Sequence, residues 1–290
     1  MSAAYQTMRV STCGGVARLT LDNPPVNVLS LQMMAELTAF FGAVEDDPAI
    51  RVVIIDSANP DYFIAHVDMT MAEDPSCFDR LDELTIAGLN PFQSLSERVR
   101  RLPQVTIVKL EGIARGGGAE FVAAADMCFA AIGQGALGQV EAVMGLVPGG
   151  GGTQYLRRRV GRNRALEIIL GAELFDAQLA ERYGWINRAL PPETINDFVD
   201  TLADNIAALT DGVMHAVKRA LPADDYSKGF KVENEAWSSL FVRPSTSELV
   251  SAALQKGVQT PEGEQHLEKL LRELRRAYMD GEGGGIRSFE

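Results

Sequence analysis

The stretch Arg115-Gly116-Gly117-Gly118-Ala119-Glu120-Phe121-Val122 decides how this chain is read. It follows Val105-Thr106-Ile107-Val108-Lys109-Leu110, an apolar, β-branched run that predicts a buried strand. It opens an alanine-rich segment that predicts a helix ending near Asp126. Strand, glycine turn and helix in that order make one unit of an α/β fold. Glycine lets the chain bend sharply and lets a ligand approach the main chain. The helix start offers unpaired N–H groups and a partial positive charge, which suits a developing oxyanion or a carboxylate. On local grounds Glu120 is a first-turn acid that complements the helix dipole.

Outward from that unit the same alternation continues. Val16 to Leu21 alternates apolar and polar residues and predicts a half-buried strand, broken by Asp22-Asn23-Pro24-Pro25. Ser30 is placed to cap a helix carrying Leu31, Met34, Leu37, Phe41 and Val44, which Asp46-Asp47-Pro48 ends. Arg51 to Asp56 predicts a second buried strand. Residues 57 to 104 are less regular, and Glu73 to Asn90 has no clean period, as either a mobile lid or a surface excursion would. Beyond about residue 190 no strand is expected. Pro191 to Leu209 predicts a helix with Phe198, Leu202 and Ile206 spaced by four, and Glu262 to Tyr278 a last one with Leu267, Leu270, Leu271 and Leu274 on one side. The expected division is a core of residues 1–194 and a helical part of residues 195–290, with the glycine-rich tail from Gly281 frayed. No internal repeat is visible in the residues themselves.

Composition narrows the function. The 290 residues are 46% hydrophobic and 23% charged, which supports a sizeable core. Lys plus Arg number 27 against 39 acidic residues, a net charge of -12, which argues against nucleic acid as a partner. Cys13, Cys77 and Cys128 are too few, and odd in number, for a disulfide framework, and they fit a reducing compartment. No secretory leader and no membrane-spanning run is visible, so a cytoplasmic protein without a membrane partner is expected.

Two further stretches could carry chemistry. Gln139-Val140-Glu141 leads into Gly145-Leu146-Val147-Pro148-Gly149-Gly150-Gly151-Gly152-Thr153-Gln154. It lacks the lysine of a nucleotide-binding P-loop and the strand context of a dinucleotide fingerprint, so locally it is a turn into a helix near Thr153. Tyr62-Phe63-Ile64-Ala65-His66-Val67-Asp68-Met69 contains a His and an Asp, but His66, His215 and His266 are scattered and a metal site is not expected.

Taken together, these stretches resemble the crotonase, or enoyl-CoA hydratase/isomerase, superfamily. Phe63 to Met69 is similar to its F-x-A-G-x-D-[LI] loop, and Gly116 to Glu120 to its G-G-G-x-E turn. Gln139 to Gln154 resembles its P-E-x-x-x-G-x-x-P-G-x-G-G-T-Q stretch, and Pro25-Val26-Asn27-Val28-Leu29-Ser30 an early family segment. The four lie in order and register from about residue 10 to 190, while the last hundred residues match poorly. The chain departs at His66, where Gly is usual, at Val140 in a Pro slot and at Thr70 in a Lys slot.

The resemblance implies a crotonase-like spiral of ββα repeats with a C-terminal all-helical extension used in trimer or hexamer contacts. It implies an acyl-CoA thioester as substrate, with CoA carried by the substrate and no further cofactor. Binding falls on Ala65, Val67, Asp68, Met69, Thr70 and Gly117, with the Val67 and Gly117 N–H groups as oxyanion hole. It implies Glu120 and Glu141 as the acid–base pair of a hydratase adding water to a 2-enoyl-CoA. The alternative is another reaction of the same scaffold, an isomerase, a thioester hydrolase or a β-diketone hydrolase, with His66 in the site. Arg272, Arg275 and Arg276 could replace the missing basic terminal segment, although a solvated helix face accounts for them as well.

Overall fold

The computed structural model of the chain describes residues 5–74, 76–82 and 85–281. Among the described residues ten strands run in chain order: β1 (Met8–Cys13), β2 (Val16–Leu21), β3 (Val52–Ser57), β4 (Tyr62–Ile64), β5 (Val105–Leu110), β6 (Ile113–Arg115), β7 (Met127–Ala131), β8 (Ala136–Gly138), β9 (Leu174–Asp176) and β10 (Arg188–Leu190). They form two sheets. The large one has the order β1-β2-β3-β5-β7-β10, and the small one β4-β6-β8-β9. All neighbours in the large sheet are parallel except the β1–β2 hairpin. In the small sheet β8–β9 is the antiparallel pair.

The connectivity repeats. β3 and β4, β5 and β6, and β7 and β8 each place one strand in the large sheet and the next in the small one before a helical segment returns the chain. This is the ββα spiral of the crotonase fold. The repeat lies in topology rather than in residue identity, which is why no sequence repeat marks it.

Strand composition follows from burial on two sides. Val53, Ile55, Val108 and Leu110 face a core shared with the small sheet and the helices Leu31–Glu45 and Pro91–Arg101. Val52, Ile54, Val105 and Ile107 face the helix Pro192–Ala207. A sheet covered on both faces needs continuous apolar runs instead of alternation. That helix buries Ile195, Val199 and Ala203; Phe198, Leu202 and Ile206 flank this stripe one residue along, half-exposed. Ser30 caps the first helix by accepting from Met33 N–H, as expected. β1 escapes sequence analysis because, Met8 apart, it is an exposed edge with no apolar face.

The C-terminal region is helical, and among the described residues no strand follows Leu190. The expected last helix is broken into Pro261–Glu264 and Leu267–Asp280. The Glu73–Asn90 segment contains the helix Ser76–Asp82, with residues 75, 83 and 84 outside the described residues, as is the tail from residue 282. Among the described residues no helix is long and apolar enough to cross a membrane, and all three cysteines are free.

Candidate active site

The loop after β4 is held against the segment before the first helix. Leu29 N–H donates to His66 O at 2.8 Å, and Asp68 N–H donates to Leu29 O at 3.2 Å. These bonds consume the groups on either side of Val67. The Gly117 N–H is released differently, as the first residue of the helix Gly117–Ala124, where no preceding turn supplies an acceptor. Among the described residues neither the Val67 nor the Gly117 N–H meets an acceptor. The two residues adjoin: a Cβ on Gly117 would lie 2.5 Å from Val67 Cγ2. Gly116 has φ 50°, and a Cβ there would meet Glu141 Oε1 at 2.9 Å, so both the turn and the approach of the acid require glycine.

Glu120 and Glu141 line one cavity with Val67 and Gly117, and Glu233 lies near enough for its charge to act on both acids. Glu120, in the first turn of its helix, is buried, and its Oε1 accepts from Gly150 N–H at 2.8 Å and Gly152 N–H at 2.7 Å. A Cβ on Gly150 would lie 2.9 Å from Glu120 Oε2. Glu141 opens a short 3-10 turn and is partly covered. With its amide nitrogen turned that way, Gln139 donates to both Glu141 oxygens at 3.0 and 3.2 Å. Glu233, from the helix Ser227–Phe241, accepts from Gly151 N–H at 2.7 Å, Thr153 N–H at 3.0 Å, Gln93 Nε2 at 3.0 Å and the Thr153 hydroxyl.

Burial raises the pKa of all three carboxyls. Glu120 is pushed well above the usual range by burial and by the charges of Glu141 and Glu233, against the pull of its two glycine amides. Glu141 is pushed up to about 7, mainly by burial, with Glu233 adding and His66 opposing. Glu233 is raised by burial despite its donors. Carboxyls this close titrate together, so at neutral pH the cluster holds protons that separate glutamates would have lost.

Glu120 and Glu141 border a cavity with about 770 Å³ of empty space, its open mouth included. Val67, Asp68, Met69, Gly117, Glu120, Glu141 and His66 all line it. Ala65 does not; it packs behind the loop with Val26 and Tyr62. Thr70 is exposed, and its hydroxyl donates back to Asp68 Oδ1 at 2.7 Å, the oxygen that caps the short turn by accepting from Thr70 N–H. Both His66 ring nitrogens are engaged, Nδ1 with Val67 O at 2.7 Å and Nε2 with Glu264 Oε1 at 2.9 Å. His66 does not have the left-handed backbone that a glycine slot allows. Val140 is anchored by packing with Leu249, Val250, Leu267 and Leu271. Arg272 donates to Gly171 O and Ala172 O and pairs with Glu173, tying the last helix to the core.

Several site residues lie outside the recognised motifs. Trp237 and Phe241, stacked with ring centres 4.6 Å apart, and Phe92 form an aromatic wall. Glu233 could have been found as a charge on the apolar stripe Phe230-Glu233-Trp237-Phe241, and Glu264 likewise sits in spacing with Leu267 and Leu271. An acid on a buried stripe must be paired, which marks it.

A ββα spiral that brings a main-chain donor loop, a glycine-rich helix start and buried glutamates to one cavity belongs to the crotonase superfamily of enzymes. The model of the enoyl-CoA hydratase/isomerase family matches residues 11–260, and the chain belongs to that family. A Streptomyces avermitilis protein, provisionally assigned as an enoyl-CoA hydratase, has a crystal structure 55% identical to this chain. Its TM-score is 0.92, over 94% of this chain and 100% of that one. The Rhizobium meliloti protein named probable enoyl-CoA hydratase is 30% identical over 258 residues, covering 87% of this chain and 96% of its own length. The crotonyl-CoA hydratase of Syntrophomonas wolfei is 27% identical over 261 residues, with the same coverages.

The raised Glu141 carboxyl makes the stability of the fold depend on pH. Its folded value of about 7 lies above the ordinary 4.5, so between them the folded state binds more protons than the unfolded chain. Stability therefore falls as pH rises through that interval. Glu141→Gln should lose this component, so the variant should gain thermal stability relative to wild type between pH 5 and pH 8 in paired unfolding scans.

Proposed function

We propose that this enzyme hydrates a 2-enoyl-CoA thioester. The observation that carries the reading is the placement of Glu120 and Glu141 at one largely apolar cavity that two unused main-chain N–H groups, those of Val67 and Gly117, also line. The two N–H groups polarise the thioester oxygen and stabilise the enolate that forms when water attacks. Preorganised donors of this kind act strongly in a water-excluded site, and one is typically worth roughly a hundred- to thousand-fold in rate.

The two acids divide the proton work. Burial and the neighbouring acids hold a proton in the Glu120–Glu141 pair against the pull of the glycine amides on Glu120 Oε1, and the reactive form is the one in which that shared proton sits on Glu141 and Glu120 Oε2 is free to take another. Glu120 accepts a proton from water as the oxygen bonds to Cβ. Glu141, carrying the proton that the pair shares, holds the same water and gives that proton to Cα, so water adds across the double bond from one side. The product is a 3-hydroxyacyl-CoA, and solvent exchange returns the proton from Glu120 to Glu141. The engagement of both His66 nitrogens supports this reading over one in which the imidazole handles substrate. The names of the Rhizobium and Syntrophomonas relatives support it too.

Self-association into a trimer or hexamer completes the proposal. Leu221, Val232 and Val242, all in the C-terminal half, are 75%, 65% and 78% exposed, apolar surface that contacts between copies would cover. Sedimentation at micromolar concentration should show that assembly, and a monomer would contradict it. Loss of absorbance of crotonyl-CoA tests the chemistry. Glu120→Gln and Glu141→Gln should each lower kcat by roughly a hundred- to ten-thousand-fold with the fold intact by circular dichroism. Full rate in either variant would remove the mechanism.

A further inference from the structure

The two donors belong to segments that end on one carboxylate. His66 immediately precedes Val67, and Arg115 stands two residues before Gly117. Glu264 Oε1 meets His66 Nε2 at 2.9 Å, while Glu264 Oε2 accepts from Arg115 Nη1 at 3.1 Å. Arg115 Nη2 also donates to the main-chain oxygen of Glu264 at 3.2 Å, and Glu268 Oε1 takes Arg115 Nε at 2.6 Å. Arg115 and Glu264 are fully buried and His66 nearly so. The other His66 nitrogen lies 2.7 Å from Val67 O, in a cavity-lining residue whose N–H meets no acceptor among the described residues.

Gln259 locks the same corner. Its N–H donates to Glu264 Oε1 at 2.9 Å, its side-chain oxygen accepts from Met69 N–H at 2.6 Å, and its amide nitrogen donates to Asp68 Oδ1 at 3.0 Å. The break between the helices Pro261–Glu264 and Leu267–Asp280 accompanies this docking, with Glu264 turned inward. A buried carboxylate with a basic group on each oxygen is a rigid spacer, because moving either partner leaves an uncompensated buried charge or polar group.

We propose that Glu264 is a positioning residue which, by bridging His66 and Arg115, sets the separation of the Val67 and Gly117 N–H groups and makes oxyanion stabilisation depend on docking of the C-terminal helices. The proposal rests on the hydratase reading for its rate measurements but not for its optical one. Misplacement of reacting groups by about an ångström can cost on the order of a hundredfold. A fault in the spacer should therefore lower kcat while leaving CoA binding largely intact.

The experiment uses the full chain and cinnamoyl-CoA, whose absorption moves to longer wavelength when its carbonyl is polarised. Wild type should shift this band. Glu264→Gln and His66→Ala should each reduce the shift and lower kcat for enoyl-CoA hydration by about ten- to a hundredfold, with KM changed less than about threefold. The double variant should be no worse than the poorer single one, because both break one contact. Glu264→Asp, which keeps the charge but withdraws it, should fall between. If Glu264→Gln does not fold, His66→Ala carries the test. Unchanged kcat and band shift in the folded variants, or no shift in wild type, would overturn the spacer. A shifted band without hydration of any enoyl-CoA would overturn the hydratase reading and leave the spacer standing.

Discussion

Three carboxylates, Glu120, Glu141 and Glu233, share one corner of the interior, and the rest of the site follows from how they are tolerated. Burying one such charge without partners costs several kcal/mol. Here the Gly149–Thr153 turn supplies most of the relief: its amides alternate, Gly150 and Gly152 toward Glu120, Gly151 and Thr153 toward Glu233. One turn thus serves two acids from opposite sides. The compensation is incomplete, so the carboxyls hold protons beyond their ordinary range. An acid that is protonated near neutrality beside one that can ionise is the pair that acid–base chemistry needs.

The helices after residue 190 take part in this site. Trp237, Phe241 and Val250 wall the cavity, Glu233 braces the glycine turn, and Gln259 and Glu264 hold the donor loop. Val140, in a slot where the related motif carries proline, is fixed by the same helices through packing. Rigidity that a ring would give locally is supplied by tertiary contacts. His66 replaces glycine without backbone strain and uses its ring to reach the C-terminal segment.

Much of this was legible in the residues. The strands β2, β3 and β5, the Ser30 cap and the glycine turn before Glu120 follow from local pattern, because local physics determines them. The exposed edge β1 and the three-residue strands of the small sheet do not, since too few residues carry a period. Val67, Gly117, Glu120 and Glu141 were found by motif and do meet at one cavity. Glu233 and Glu264 were missed because, Gln259 apart, their partners lie 80 to 198 residues away in sequence. Ala65 and Thr70 lie next to lining residues but point elsewhere, a distinction that spacing cannot make.

A crystal structure of the enzyme with bound acetoacetyl-CoA tests the central claim most directly. The account predicts the thioester oxygen within about 2.7–3.1 Å of both Val67 N and Gly117 N, with Glu120 and Glu141 flanking the acyl carbons. A thioester oxygen beyond hydrogen-bond reach of either amide, with the acyl chain outside the Trp237 and Phe241 wall, would contradict it.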